Sequence, residues 1–261
     1  MKKINSTANP IINNTVRLKK AGERKRQGLI VIDGIREIAL ALKSGTTVTT
    51  LFYCPSLNDA DPKRVFSVPE ENIIEVTEAI FSKISYKENP DGFLALALRP
   101  SLNLDDIKLD KNPLIIVLEK VEKPGNLGAI LRTAYAVGAT AVIINDNQTD
   151  IYNPNVIRAS EGYVFSELVV SSSLKDTAAW LKKNKIKSFA AATSAKQNYT
   201  AVNWCLGAAI VLGSEADGLS DDWLKSADKL IKIPMISGLD SLNVSVAAAV
   251  IAFEALRQRE L

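Results

Sequence analysis

Apolar residues along this chain fall into two rhythms, short unbroken runs and longer stretches spaced by three or four, and the two alternate almost from end to end. Residues 11–26 carry Ile12 and Val16 one turn apart among cations, which predicts an amphipathic helix closed by Gly28. Residues 29–32 predict a strand, Asp33-Gly34 a turn, and residues 35–43 a helix stopped by Gly45. Strands follow at 48–53, 73–76 and 93–98, with a helix at 77–84 and an Asp91-Gly92 turn before the last strand. This alternation predicts a small α/β unit. Residues 100–113 are polar and bracketed by prolines, the signature of a linker. Residues 114–118 then form a continuous apolar run typical of a buried parallel strand. Further strands are predicted at 141–144, 167–170, 188–192, 208–212 and 230–233. Helices are predicted at 127–137, 153–160 and 174–184, and from Val244 onward. Strands separated by helices imply an open parallel sheet covered on both faces. The expected organisation is a front domain over 1–105, a linker to about 112, and a second domain over 113–261.

Composition narrows the chemistry. With 261 residues, 47% hydrophobic and 23% charged, the chain can bury two cores of ordinary size. Its net charge of +3 says little about partners, but Arg17, Lys19, Lys20, Arg24, Lys25 and Arg26 crowd one short stretch opposed only by Glu23. Such a cluster is either a solvated helix face or a nucleic-acid contact. The two cysteines, Cys54 and Cys205, form no framework, which fits a reducing compartment. No signal peptide or membrane-spanning run is legible, so the cytoplasm is the expected location. Histidine is absent. That excludes Ser-His and Cys-His nucleophile pairs and His-rich metal sites, and no metal is expected.

Three later segments carry candidate chemistry. In open parallel sheets ligands sit beyond the carboxyl ends of the strands. The run 114–118 ends at Glu119 and leads through Pro124-Gly125-Asn126-Leu127-Gly128 into a helix, where Asn126 could cap and the glycines could admit a ligand. Arg132 sits further on in a mostly apolar context, either as a surface arginine or as a paired functional one. These glycines do not have the GxGxxG spacing, which disfavours a Rossmann oxidoreductase. Gly213-Ser214-Glu215 follows the strand 208–212 directly. Glu215 could enter the same space as Arg132, or the segment could be a polar loop with a cap at Ser220. In Ser241-Leu242-Asn243-Val244-Ser245, capping the alanine-rich final helix needs one polar residue, not three.

These segments, NLGAILRTA, GSEADGLS and IPMISGLDSLNVSVA, resemble the three ordered motifs of the SpoU (TrmH-like) branch of the SPOUT RNA methyltransferases. Asn9-Pro10, the basic stretch, LIVIDGIREIALAL and PDGFLALALRP are similar to the L30e-like substrate-binding domain of its rRNA-modifying members. The resemblance implies an N-terminal L30e-like α/β domain and a C-terminal SPOUT α/β domain with a parallel sheet and a deep trefoil knot, a rare exception among folds. It also implies a homodimer through the catalytic domain and S-adenosylmethionine as cofactor. Thr193, Gly213, Ile233 and Leu242 would then meet the cofactor, and Asn126, Arg132, Glu215, Ser241 and Asn243 would form the active site. With a methyltransferase pocket attached, Arg17, Lys19, Lys20, Arg24 and Arg26 become RNA-binding candidates.

The implied reaction is methyl transfer to a ribose 2′-hydroxyl, with ribosomal RNA, specifically 23S, favoured as partner by the front domain. A tRNA ribose methyltransferase and a non-catalytic RNA-binding protein that kept the fold are the alternatives. The chain departs from the family pattern at Lys123, where an acidic residue is usual, at Asn155, where a lysine is common, and at Glu161, which replaces an apolar residue.

Overall fold

The computed structural model describes residues 1–146, 149–166, 169–236 and 241–260. In chain order the elements are β1 (Lys2–Ile4), α1 (Pro10–Arg17), α2 (Ala21–Gln27), β2 (Leu29–Asp33), α3 (Ile35–Lys43), β3 (Val48–Tyr53), α4 (Pro62–Val65), β4 (Ile73–Val76), α5 (Glu78–Ile84) and β5 (Phe93–Leu98). They continue with β6 (Leu114–Glu119), α6 (Pro124–Ala136), β7 (Ala141–Asn145), α7 (Pro154–Ala159), β8 (Val169–Ser172), α8 (Leu174–Lys183), β9 (Lys187–Ala191), β10 (Gln197–Asn198), β11 (Ala208–Leu212), α9 (Asp221–Ser226), β12 (Lys229–Lys232) and α10 (Val244–Glu260). Two compact units result, one of Met1–Ser101 with Asp150–Ser166, the other of Leu102–Thr149 with Glu167–Leu261. Asp150–Ser166 thus lies within the 113–261 stretch in sequence but belongs by its contacts to the first unit.

The first unit holds a mixed sheet in the order β1-β4-β3-β5-β2, with β5 antiparallel to both β2 and β3 and the other pairs parallel. The single helix expected over 11–26 is two. Asn9 caps α1, its side chain accepting from the Ile11 amide at 2.9 Å, and Pro10 opens it. The chain then breaks at Leu18–Lys20 because the Arg24 guanidinium takes the carbonyls of Leu18 and Lys19, at 2.8 and 2.9 Å. A continuous helix would use those acceptors for its own amides. Gly28 ends α2 in the left-handed region, with φ 62°. Gly34 adopts φ 124°, a backbone conformation that side-chain-bearing residues rarely take, which favours glycine there, and the Lys87 ammonium and Glu37 carboxylate pair at 3.5 Å over the turn.

The second unit is built on an all-parallel sheet in the order β10-β12-β9-β11-β6-β7-β8. Every residue of β6 and β11 is buried, as their unbroken apolar runs require. Alternate residues face opposite sides. Ile115, Val117, Ala209 and Val211 join a core with Leu181 of α8 and Trp223 of α9, whereas α6 and α10 pack on each other. Part of the polar stretch expected to act as a linker belongs to this core. Ile107 is buried in it, and Leu102, Leu104 and Leu109 pack against it beside a turn capped by Asn103 and Asp106. A trefoil threading ahead of α10 would pass through residues 237–240, which lie outside the described residues. No helix among the described residues is long and apolar enough to cross a membrane.

Candidate active site

Parallel pairing sets the carboxyl ends of β6, β9, β11 and β12 along one edge of the sheet, where ligands of such folds are held. A cavity of about 390 Å³ opens there. Thr193, Gly213, Ile233 and Leu242 all line it, together with Glu215 and Ser241. The loop after β11 closes on itself, with Ser214 and Gly218 exchanging backbone bonds at 3.0 and 3.2 Å and the Asp217 amide donating to Ser214 Oγ at 3.0 Å. Gly213 sits under that closure. A Cβ there would overlap the backbone of Gly218 and Leu219, so the steric demand falls on main chain that cannot swing aside.

A chain of polar side chains ties the three motifs together. Asn126 Nδ2 donates to Glu215 Oε1, and Asn243 Nδ2 donates to Asn126 Oδ1 at 3.2 Å. Asn243 Oδ1 in turn accepts from the Ser245 amide at 2.9 Å and its hydroxyl at 2.6 Å, which caps the start of α10. The amide of Asn126 is oriented from both ends, since its oxygen must receive and its nitrogen must give. Asn126 therefore does not cap its helix: α6 starts earlier, at Pro124, with Lys123 in the cap position, and Asn126 lies within the first turn. Glu215 meets Asn126, and Arg132 is a solvent-exposed residue further along α6, outside the cavity lining. Sequence reading overlooked Ser194, Asp217 and Lys232, which also line the cavity. Lys232 was detectable in principle, as the polar residue next to the end of the strand predicted over 230–233 and so near the ligand edge.

The basic cluster of the first unit divides. Arg17, Lys19, Lys20 and Arg26 are exposed. Lys19 donates to the Ser85 carbonyl at 3.1 Å and lies 5.1 Å from the centre of the Tyr86 ring, and Arg26 pairs with Glu23 at 2.7 Å. Arg24 is instead buried and cannot meet RNA, because its guanidinium is held by Asp150 at 2.7 Å and by the two carbonyls of the helix break. Glu161, one of the departures from the family pattern, pairs with Arg36, and Asn155 is exposed. Among the described residues no group of three or more Cys, Asp or Glu side chains could hold a metal ion.

The model of the SpoU rRNA methylase family matches residues 113–253, the stretch that supplies the whole cavity. The chain belongs to the SpoU rRNA methylase family. Residues 9–95 match the model of the MRM3-like substrate binding domain. A solved RNA 2′-O ribose methyltransferase shares 38% identity and a TM-score of 0.85, over 99% of this chain and 100% of its own. The S-adenosylmethionine-bound rRNA methyltransferase from Sinorhizobium meliloti superposes with a TM-score of 0.89 at 26% identity, over 98% and 97% of the two chains. The 23S rRNA (guanosine(2553)-2′-O)-methyltransferase of Bacillus subtilis is 28% identical over 97% of this chain and 98% of its own length.

Proposed function

We propose that this SpoU protein methylates a ribose 2′-hydroxyl of ribosomal RNA, 23S rRNA being the favoured target, with S-adenosylmethionine as donor. The observation that carries the reading is the cavity lined by Gly213, with Glu215 in its lining hydrogen-bonded to Asn126 and, through it, to Asn243. The residues present fit an adenosyl cofactor. The volume lies within the range of small-molecule sites, roughly 300–1,000 Å³. The lining joins a backbone cradle at Gly213, Ile233 and Leu242, hydroxyls at Thr193 and Ser194, and a carboxylate at Glu215 suited to a cationic centre. When bound, the cofactor supplies an electrophilic methyl group on a sulfonium.

A ribose hydroxyl is a weak nucleophile near neutral pH and needs a positive neighbour or a proton acceptor. Arg132 is assigned the first role, clamping the RNA phosphate and stabilising the developing alkoxide, because a guanidinium is a fixed cation and not a base. Asn126, locked between Glu215 and Asn243, presents a fixed face to the ribose. Ser241 lines the reacting end. Arg17, Lys19, Lys20 and Arg26 contribute the electrostatic attraction for RNA. A second copy of the chain covers the exposed stripe of Val246 and Phe253 on α10 and Tyr135 on α6, which are 48%, 49% and 46% exposed on adjacent helices.

Arg132→Ala should lower turnover on 23S rRNA about a hundredfold or more while S-adenosylmethionine binds with nearly unchanged affinity. Calorimetry and a radiolabelled methyl-transfer assay separate the two. Weakened cofactor binding with normal turnover would overturn the assignment.

A further inference from the structure

Lys232 ends β12 at the cavity, half-buried, and is the one cation among the described residues that line it. It makes no ion pair with any described residue, although Glu215 and Asp217 border the same cavity. Sheet order explains the separation. The strands run β12-β9-β11, so Lys232 and the loop carrying Glu215 and Asp217 lie two strand spacings apart, about 10 Å. Register places Ile231 beside Ala191 and Lys232 beside Asn198. The ammonium therefore emerges next to the end of β9, where Thr193 and Ser194 supply hydroxyls. The cavity is thus bipolar, acidic beyond β11 and basic beyond β12.

A ligand matched to it carries a cationic centre and an anionic group a few bonds apart on a polyhydroxyl body. S-adenosylmethionine has one such anion, the carboxylate of its amino-acid tail. We propose that Lys232 is a specificity-determining residue that binds this carboxylate, a role that rests on the cavity being the methyl-donor site. Alternation along β12 turns Ile231 into the core and leaves Lys232 on the opposite side. Its four-carbon stem gives the ammonium reach across the mouth of the cavity, where a charge-assisted bond is partly shielded from water.

Calorimetric titration of the full chain with S-adenosylmethionine and with its decarboxylated analogue tests this directly. Lys232→Met should weaken the first about fivefold to tenfold and leave the second within about twofold, and Lys232→Arg should restore the first. Equal weakening of both ligands, or no weakening of either, would overturn the role. A wild-type chain that bound neither would instead overturn the reading of the cavity as a donor site.

Discussion

Replacing Asp150 by alanine is the sharpest test of how the first unit is held together. Its carboxylate bridges two arginines: Oδ2 accepts from Arg24 Nε at 2.8 Å and Nη2 at 2.7 Å, and Oδ1 accepts from Arg99 Nη1 at 2.9 Å. The Arg24 side chain is 2% exposed, Asp150 11% and Arg99 29%. Loss of the carboxylate leaves Arg24 charged in the interior with only the Leu18 and Lys19 carbonyls, whereas Arg99 can turn to water. Stranding one member of a buried pair costs about 3–5 kcal/mol. The two retained carbonyl bonds favour the lower figure. At roughly 2–4 °C per kcal/mol, a cost of about 3 kcal/mol lowers the melting temperature by about 6–12 °C. Arg24→Met with Asp150→Ala removes both charges and should be more stable than Asp150→Ala alone. Lys20→Glu, on exposed chain nearby, should leave melting within about 1 °C while weakening RNA binding and flattening its salt dependence. Urea denaturation of the wild type, Asp150→Ala, Arg24→Met and the double variant measures the cycle. Strict additivity, or a loss under about 1 kcal/mol for Asp150→Ala, would refute the argument.

Gly213→Ala should cost about 1–3 kcal/mol through overpacking, and S-adenosylmethionine affinity should fall at least tenfold because the Ser214–Gly218 closure must shift. Calorimetry that found affinity within twofold at an unchanged melting temperature would contradict the steric reading. If a second copy covers α10 as proposed, the wild type sediments as a dimer at micromolar concentration and Phe253→Glu, which places a charge among the exposed residues of α10, should sediment as a monomer. A variant that stayed dimeric would show that this stripe is not the interface.

The sequence alone carried the parallel sheet of the second unit. The unbroken runs at 114–118 and 208–212 leave no polar face, so only a doubly covered strand suits them. Gly213 and Ile233 directly follow β11 and β12, and parallel strands end on one edge, but it was the family resemblance that put them with Leu242 in one site, and in the structure all three line one cavity. Local pattern failed where one long side chain outweighed helix propensity. The cations of residues 17–26 read as one exposed helix, yet Arg24 turns inward and breaks it by taking two backbone carbonyls. Its partner, Asp150, is 126 residues away in sequence, a separation over which no periodicity operates. The same holds for the orientation of Asn126, fixed by Glu215 and Asn243 from elements 89 and 117 residues further on. Which elements form is settled by the free energy of burying nearby apolar side chains. Which polar group satisfies which is settled only when the packed chain removes water and leaves each buried donor and acceptor to find a partner.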